Sequence, residues 1–438
     1  MQRTTAIPAG NPASPSTTRA GVVRWAVGAL VAAVATASCT GTNSDDPQAV
    51  VVTTTTEPPV PRIDDGVLRI GALVPAGDTA VGAALSEELD AAVAAVNDAG
   101  GVLGENVELV VRDEGTTALG ASAAIEQLVG DDDVDAIVGP TSSNSALGAL
   151  DDAIEAGIVT CSATASSIAL DSFPDDGLFF RTIATDSLQA IAIANQAQAT
   201  GATRITIVNV DDAYGRPYAA EVIEELEQTP LLTVDNVAVP VDDIDLADEV
   251  DEVVELAATT VIVIGSGADT GRFLEALAQR DDLVVDTVFV NDAARDAASR
   301  PVFAGLPTEL RERIVGIAPQ IVLPNPGNDA DDDAEAAPNQ PFRPQVVDCG
   351  NLISLAAVQS GSDSPGEIAS QMASVASGGS MCDEFAECVA QLEQGLQINY
   401  DGRTCVTDLG RNGAPSRARF DRRTAQSLRR SATCTRRP

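Results

Sequence analysis

The chain has 438 residues, 65 acidic and 26 basic side chains and no histidine, for a formal charge of −39. All the basic residues are arginine, which excludes histidine-assisted nucleophiles, histidine zinc sites, phosphate-loop lysines and lysine Schiff bases. Charge of this sign repels phosphate backbones and sets nucleic acid aside as a partner, so cofactor-free binding starts ahead of catalysis.

At about 150 residues per domain, the length suggests two or three globular units. Hydrophobic content is 45% but aromatic content only 3%, and Trp25 is the sole tryptophan, so Ala, Val, Leu and Ile must fill the cores. The charge is uneven. Residues 1–38 carry +3, residues 403–438 carry ten Arg against Asp408 and Asp421 for +8, and the body between holds about −50. An intensely acidic body reads as a solvated surface, suited to salt or to an acidic envelope.

Residues 1–24 are polar and basic, 25–38 form a short apolar run ending in small residues, and Cys39 follows. This is the three-part pattern of a secretory signal, and 14 residues are too few for a membrane span of about 20. Thr36-Ala37-Ser38-Cys39 resembles a bacterial lipobox, which implies diacylation of Cys39 and an extracytoplasmic lipoprotein on the cell membrane. The alternative is cleavage after Ala37 and a secreted soluble protein. Residues 39–66, with TTTTEPPVP, lack hydrophobic periodicity and read as a flexible tether.

From Val67 short apolar runs alternate with helical spacing. Strands are expected at 67–73, 107–113, 134–139 and 157–161 and, after FFRT (179–182) where the pattern restarts, at 204–210, 231–239, 259–265 and 287–291. Helices are expected near 82–97, 117–129, 145–156, 187–200, 216–227, 246–257, 270–280, 352–378 and 384–395. Continuous Val/Ile strands between amphipathic helices mean parallel sheets covered on both faces, and two successive series mean two doubly wound α/β lobes. Residues 326–341 read as an acidic, Pro-rich surface loop.

Open parallel sheets bind ligands beyond the carboxyl ends of their strands. Three such ends are candidates. The first is 139–145, with Ser142, Ser143 and Asn144; its hydroxyls and helix-start N–H groups can hold a carboxylate without lysine, or can serve as ordinary helix caps. The second is 161–167, with Thr164 and Ser166, where a plain polar loop is the competing reading. The third is 211–215, with Tyr214 in the second lobe. Gly265-Ser266-Gly267-Ala268-Asp269-Thr270-Gly271 opens a helix after a strand, a weak nucleotide signal because its spacing is GxGxxxG and it sits late in its lobe.

Taken together, IGALVPAGDTAVG (70–82), VNDAGGVLGENVELVVRDEG (96–115), AIVGPTSSNSALGAL (136–150), GIVTCSATAS (157–166), FRTIATDSLQ (180–189) and IVNVDDAYGR (207–216) resemble the bacterial ABC-transporter substrate-binding lipoproteins of the branched-chain amino acid (Leu/Ile/Val) type. The resemblance spans about residues 67–400. It implies a periplasmic-binding-protein type I fold: two Rossmann-like lobes joined by a three-strand hinge, with lobe 1 at 67–185 and 318–400 and lobe 2 at 186–317. It implies no catalysis, no cofactor, no metal, an ABC permease as partner, and a small amino-acid-like solute in the cleft. The carboxylate-binding serine falls on Ser143, the second-loop contacts on Thr164 and Ser166, and the second-lobe tyrosine on Tyr214. The acidic partner of the ammonium falls on Asp292, with Asp186 in reserve. Val81 takes the place of an aromatic or apolar contact, and Gly267 stands near the place of another aromatic. An amide, urea or aromatic acid, or a sensory role beside a signalling partner, are the alternatives.

Seven cysteines in an exported chain permit disulfides. Cys382 and Cys388 flank a helix start and form a plausible local pair; the partners of the others stay open. The tail 401–438 departs from the family. After INYDG an apolar strand is expected, yet 403–438 has no strand periodicity and reversed charge. It reads either as a frameshift product, with Cys405 and Cys434 accidental, or as a basic arm for anionic lipid.

Overall fold

The computed structural model describes residues 64–75, 80–241, 245–295, 300–319, 342–404 and 408–424. The signal, Cys39, nearly all of the tether, the acidic loop 326–341, Cys405 and Cys434 lie outside them.

The short apolar runs form strands, and the inner ones are buried on both faces, while the edge strands at 108–113 and 233–239 are partly exposed. β1 (Arg69–Val74), β2 (Glu108–Asp113), β3 (Ala136–Val138), β4 (Val159–Ser162) and β5 (Phe179–Arg181) make a parallel sheet in the order β2-β1-β3-β4-β5. Side chains alternate across it. Ile70, Ala72 and Val74 of β1 enter one apolar cluster, and Leu73 enters the cluster on the opposite face. Helices α1 (Ala80–Asp98), α2 (Ala118–Gly130) and α3 (Ser143–Glu155) connect the first four strands.

α4 (Asp186–Gln198) begins the second lobe. β6 (Arg204–Val210), β7 (Thr233–Val239), β8 (Thr260–Ile264), β9 (Thr287–Val290) and β10 (Ile314–Pro319) are parallel in the order β10-β9-β8-β6-β7. Between them run α5 (Gly215–Glu227), α6 (Ala247–Leu256), α7 (Gly267–Leu277), α8 (Arg300–Gly305) and α9 (Thr308–Arg313). Val208, Val261 and Val288 face one cluster; Ile207, Ile262 and Phe289 face the other. Both sheets therefore reverse strand order at their first strand, giving each lobe a switch point where ligands bind.

The chain then returns to lobe 1 with α10 (Arg343–Ser360), α11 (Pro365–Val375), β11 (Ser380–Cys382), α12 (Phe385–Glu393) and β12 (Ile398–Tyr400), β11 and β12 pairing in parallel. α10 packs on α1, where Arg343 Nε and Arg403 Nη1 both donate to Glu88, at 2.7 and 3.1 Å. The chain finally crosses back to lobe 2 as β13 (Phe420–Thr424), so it passes between the sheets three times.

Several features depart from the sequence expectation. β10, β11 and the short helices α8 and α9 were not anticipated. α10 starts well before residue 352: Pro344 through Ala357 are all buried, so its polar side chains Gln345, Asp348, Asn351 and Ser354 lie inside the fold and not on a solvated face. The helical pattern over 352–378 is two helices, since Gly361 ends α10 in the left-handed conformation and Pro365 opens α11. The tail does hold a strand: β13 pairs antiparallel with β10, Phe420 opposite Pro319, and the half-buried Phe420 packs on the lobe 2 core. An edge strand needs only one buried face, and Phe420 supplies it amid arginines. Thr404 is buried, and the Arg181 N–H donates to the Gly413 carbonyl at 2.8 Å, so the described part of the tail belongs to the fold.

Cys382 and Cys388 are bonded as expected, Cα atoms 5.4 Å apart. A second disulfide joins Cys161, in β4, to Cys349, in α10, across 188 residues of sequence.

Candidate functional site

Lobe 1 contributes the loops that leave β3 and β4. Gly139 has φ +135°, and a Cβ there would sit 2.3 Å from the Leu73 carbonyl, so only glycine lets the loop leave β3 this close to β1. The Gly139–Pro140 peptide is cis. Ser142 caps α3: its hydroxyl accepts the Ser145 N–H at 2.9 Å and donates to the Ser145 hydroxyl at 2.8 Å. Ser143 is buried and its hydroxyl accepts the Ser167 N–H at 3.2 Å. The Ser162 hydroxyl donates to the Pro140 carbonyl at 2.7 Å and accepts the Ala165 N–H at 3.0 Å. The Thr164 hydroxyl donates to the Thr141 carbonyl. The two hydroxyl-rich loops are thus knitted into one surface.

Beneath that surface lies Glu114, just past the end of β2 and only 2% exposed. It accepts the Thr141 N–H at 2.8 Å and the Thr141 hydroxyl. Burial pushes its carboxyl up to about 7, against the opposing effect of the two Thr141 bonds.

Lobe 2 contributes a polar group of opposite character. Asp186, the first residue of α4, is 1% exposed; its N–H donates to the Ser166 carbonyl at 2.9 Å and its carboxyl bonds the Ser166 side chain. Its Oδ2 is buried with no hydrogen-bond partner. Burial, and next the negative charge of Asp292, hold its carboxyl well above the ordinary aspartate range. Asp292, following β9, is buried as well. The Tyr214 hydroxyl accepts from Asn291 Nδ2 at 2.8 Å; desolvation, then Asp186 and Asp292, raise its titration. Arg181 is buried but committed: Nη2 reaches Asp171 Oδ1 at 2.6 Å and Nη1 the Ser167 carbonyl at 3.2 Å.

One direct bond spans the mouth between α3 and the loop after β6. Asn144 Nδ2 donates to Asp212 Oδ2 at 3.2 Å, while Asp212 Oδ1 accepts the Tyr214 and Gly215 N–H groups at 2.9 and 2.7 Å.

Of the residues singled out in the sequence, Ser166, Asp186, Asp292 and Tyr214 act on one another, and Ser143 and Asn144 adjoin them through Ser167 and Asp212. Ser142 and Thr164 are engaged in holding the lobe 1 loops. Val81 is half-buried against the lobe 1 core. Gly267 opens α7 inside a capping box, with Asp269 accepting from the Ser266 N–H and hydroxyl. An aspartate therefore occupies the helix start that a phosphate would need. Glu114 and Asn291 were not singled out, and Thr141 and Asp212 were marked only as members of the candidate loops 139–145 and 211–215; the acid after β2 was the visible signal for Glu114. Among the described residues no group of acidic or cysteine side chains is placed to hold a metal ion, and no helix is long and apolar enough to cross a membrane.

The arrangement can hold a small polar solute between an uncharged, hydroxyl-bearing surface in lobe 1 and buried carboxyls in lobe 2. Residues 67–299 match the model of the family described as periplasmic binding protein. The chain is similar to the chemotactic signal transduction system substrate-binding protein BasB of Halobacterium salinarum, 28% identical over 361 residues, 78% of this chain and 83% of BasB. The fold resembles the leucine binding protein LivK of Thermotoga maritima, with TM-score 0.62 and 16% identity over 82% of this chain and all of that one. It also resembles the branched-chain amino acid transporter substrate binding protein LivJ of Streptococcus pneumoniae in complex with isoleucine, with TM-score 0.60 and 17% identity over 82% of this chain and all of that one. The two-lobed type I fold, the paired switch points and the family match agree: the chain belongs to the periplasmic binding protein family.

Proposed function

We propose that this protein is an extracytoplasmic receptor that closes on an amino acid or a similar small zwitterion and presents it to an ABC importer. One observation carries the reading: the buried, unpartnered Oδ2 of Asp186 beside the buried Asp292. A desolvated carboxyl oxygen with no hydrogen-bond partner, as Asp186 Oδ2 is while the nearby Arg181 is bonded to Asp171, is costly, and a ligand ammonium compensates it. The Tyr214 hydroxyl borders the same point. The ligand carboxylate meets lobe 1, where the Ser143 and Ser166 hydroxyls and the loop N–H groups suit an anion without any lysine, while Thr164 holds the loops together. A ligand gripping both lobes shifts the open–closed equilibrium, and closure is what a permease recognises. In this reading a lipidated Cys39 holds the receptor at the membrane through the tether.

A second reading is favoured by the likeness to BasB, whose name is that of a chemotactic signalling component. The same closure then reports to a signalling partner instead of a permease. The two readings share a ligand and differ in partner. A thermal-shift screen of L-amino acids and small amides tests the ligand, because stabilisation grows with concentration over Kd. Stabilisation by at least one amino acid, abolished by Ser143→Ala, is expected; no response to any carboxylate-bearing solute removes the amino-acid reading. Co-purification with permease or with transducer separates the partners.

A further inference from the structure

Glu114 lies outside the cleft, yet the lobe 1 loops converge on it. It sits at the end of the edge strand β2, its own N–H donating to the Val74 carbonyl at 3.0 Å, so its position is fixed by the sheet. Its carboxylate takes both polar hydrogens of Thr141. The Thr141 carbonyl in turn accepts the Thr164 hydroxyl of the second loop. Two further ties join the loops, Ser162 to the Pro140 carbonyl and the Ser167 N–H to Ser143. A backbone N–H and a hydroxyl bonded to one buried carboxylate form a charge-assisted, two-point clamp.

We infer that Glu114 is the positioning residue of the lobe 1 anion surface: it fixes Thr141, and through Thr141 it fixes Thr164 and the second loop, so that both loops hold one shape with or without a ligand. The effect on binding rests on the solute-receptor reading above; the effect on loop order does not.

Amide hydrogen exchange over 139–146 and 162–167 in the ligand-free protein tests the clamp, alongside calorimetric titration with L-isoleucine. Glu114→Ala should speed exchange about tenfold or more in both loops and weaken L-isoleucine binding by about the same factor. Glu114→Gln, which offers Thr141 an acceptor and a donor, should restore wild-type exchange and affinity. Thr164→Val should loosen the second loop and leave the first unchanged. Wild-type exchange in either loop of Glu114→Ala, or equal loosening by Ala and Gln, overturns the inference. Should Glu114→Ala fail to fold, Glu114→Gln and Thr164→Val decide it: a second loop unmoved by Thr164→Val overturns it. Should the wild type not bind L-isoleucine, the exchange comparison alone decides the clamp, and the failure belongs to the choice of solute.

Discussion

Asn144 Nδ2, at the start of α3 in lobe 1, donates to Asp212 Oδ2, in the loop after β6 of lobe 2, at 3.2 Å. The same aspartate holds the Tyr214 and Gly215 N–H groups with its other oxygen. Closure of the mouth and placement of Tyr214 are thereby coupled through one side chain.

Asn144→Asp sets two carboxylates against each other at that mouth. We expect it to weaken ligand affinity about tenfold, roughly 1.4 kcal/mol. Adding Asp212→Asn restores a donor–acceptor pair with reversed polarity and should recover most of the loss. Dissociation rates by stopped flow measure this, and additive losses in the double variant would rule out the coupling.

Binding should release protons. In the empty site burial and Asp292 favour the protonated form of Asp186; a ligand ammonium favours the carboxylate. Below the raised value of the empty site, binding therefore expels up to about one proton, and affinity rises with pH. Calorimetry in phosphate and in Tris should give enthalpies that differ in the sense of proton release, and Asp186→Asn should erase the difference.

Stability of the ligand-free protein should fall as pH rises from about 4 to about 7. Burial raises Glu114 from 4.5 to about 7 and Asp348 from 3.8 to about 6. Asp348 is fully buried in α10, where Tyr400 and the Arg403 and Thr404 N–H groups donate to it. Each group binds its proton more tightly folded than unfolded. The stabilisation is fully present below the unfolded values and is lost as pH rises through the folded ones, at most about 3 kcal/mol for each. Urea unfolding at several pH values checks the slope, and Glu114→Gln should flatten it in part.

The two disulfides should differ in weight. In the chain-entropy picture a closed loop of about 190 residues contributes about 5 kcal/mol and one of about 6 residues about 2 kcal/mol. Cys349→Ser should therefore lower the urea midpoint more than Cys388→Ser. The long-range bridge also pins the end of β4, where the second binding loop begins, so Cys349→Ser should weaken ligand binding as well.

The two-lobed α/β plan was legible because continuous Val and Ile runs and helical spacing are local signals. The hydroxyl-rich loops were legible for the same reason, each being a polar run at a strand end. What failed was whatever depended on distant pairing. α10 buries its polar stripe of Gln345, Asp348, Asn351 and Ser354 along with its apolar side chains, so no solvated face marks where it begins, and β13 is a strand only because β10 lies beside it. The Cys161–Cys349 bond spans 188 residues, and nothing local in VRDEG marks Glu114 as the partner of Thr141. Asp186 was the reserve to Asp292 in the sequence; in the fold both acids are buried and the charge of Asp292 is felt at Asp186.

The most direct test of Asp186 as the ammonium site is calorimetric titration of the wild type and of Asp186→Asn with L-amino acids and with their desamino acids. We predict binding of at least one L-amino acid, no binding of its desamino analogue, and a loss of at least about tenfold in Asp186→Asn, since a buried charge partner is removed. Equal affinity for an amino acid and its desamino analogue, or undiminished binding in Asp186→Asn, would contradict it.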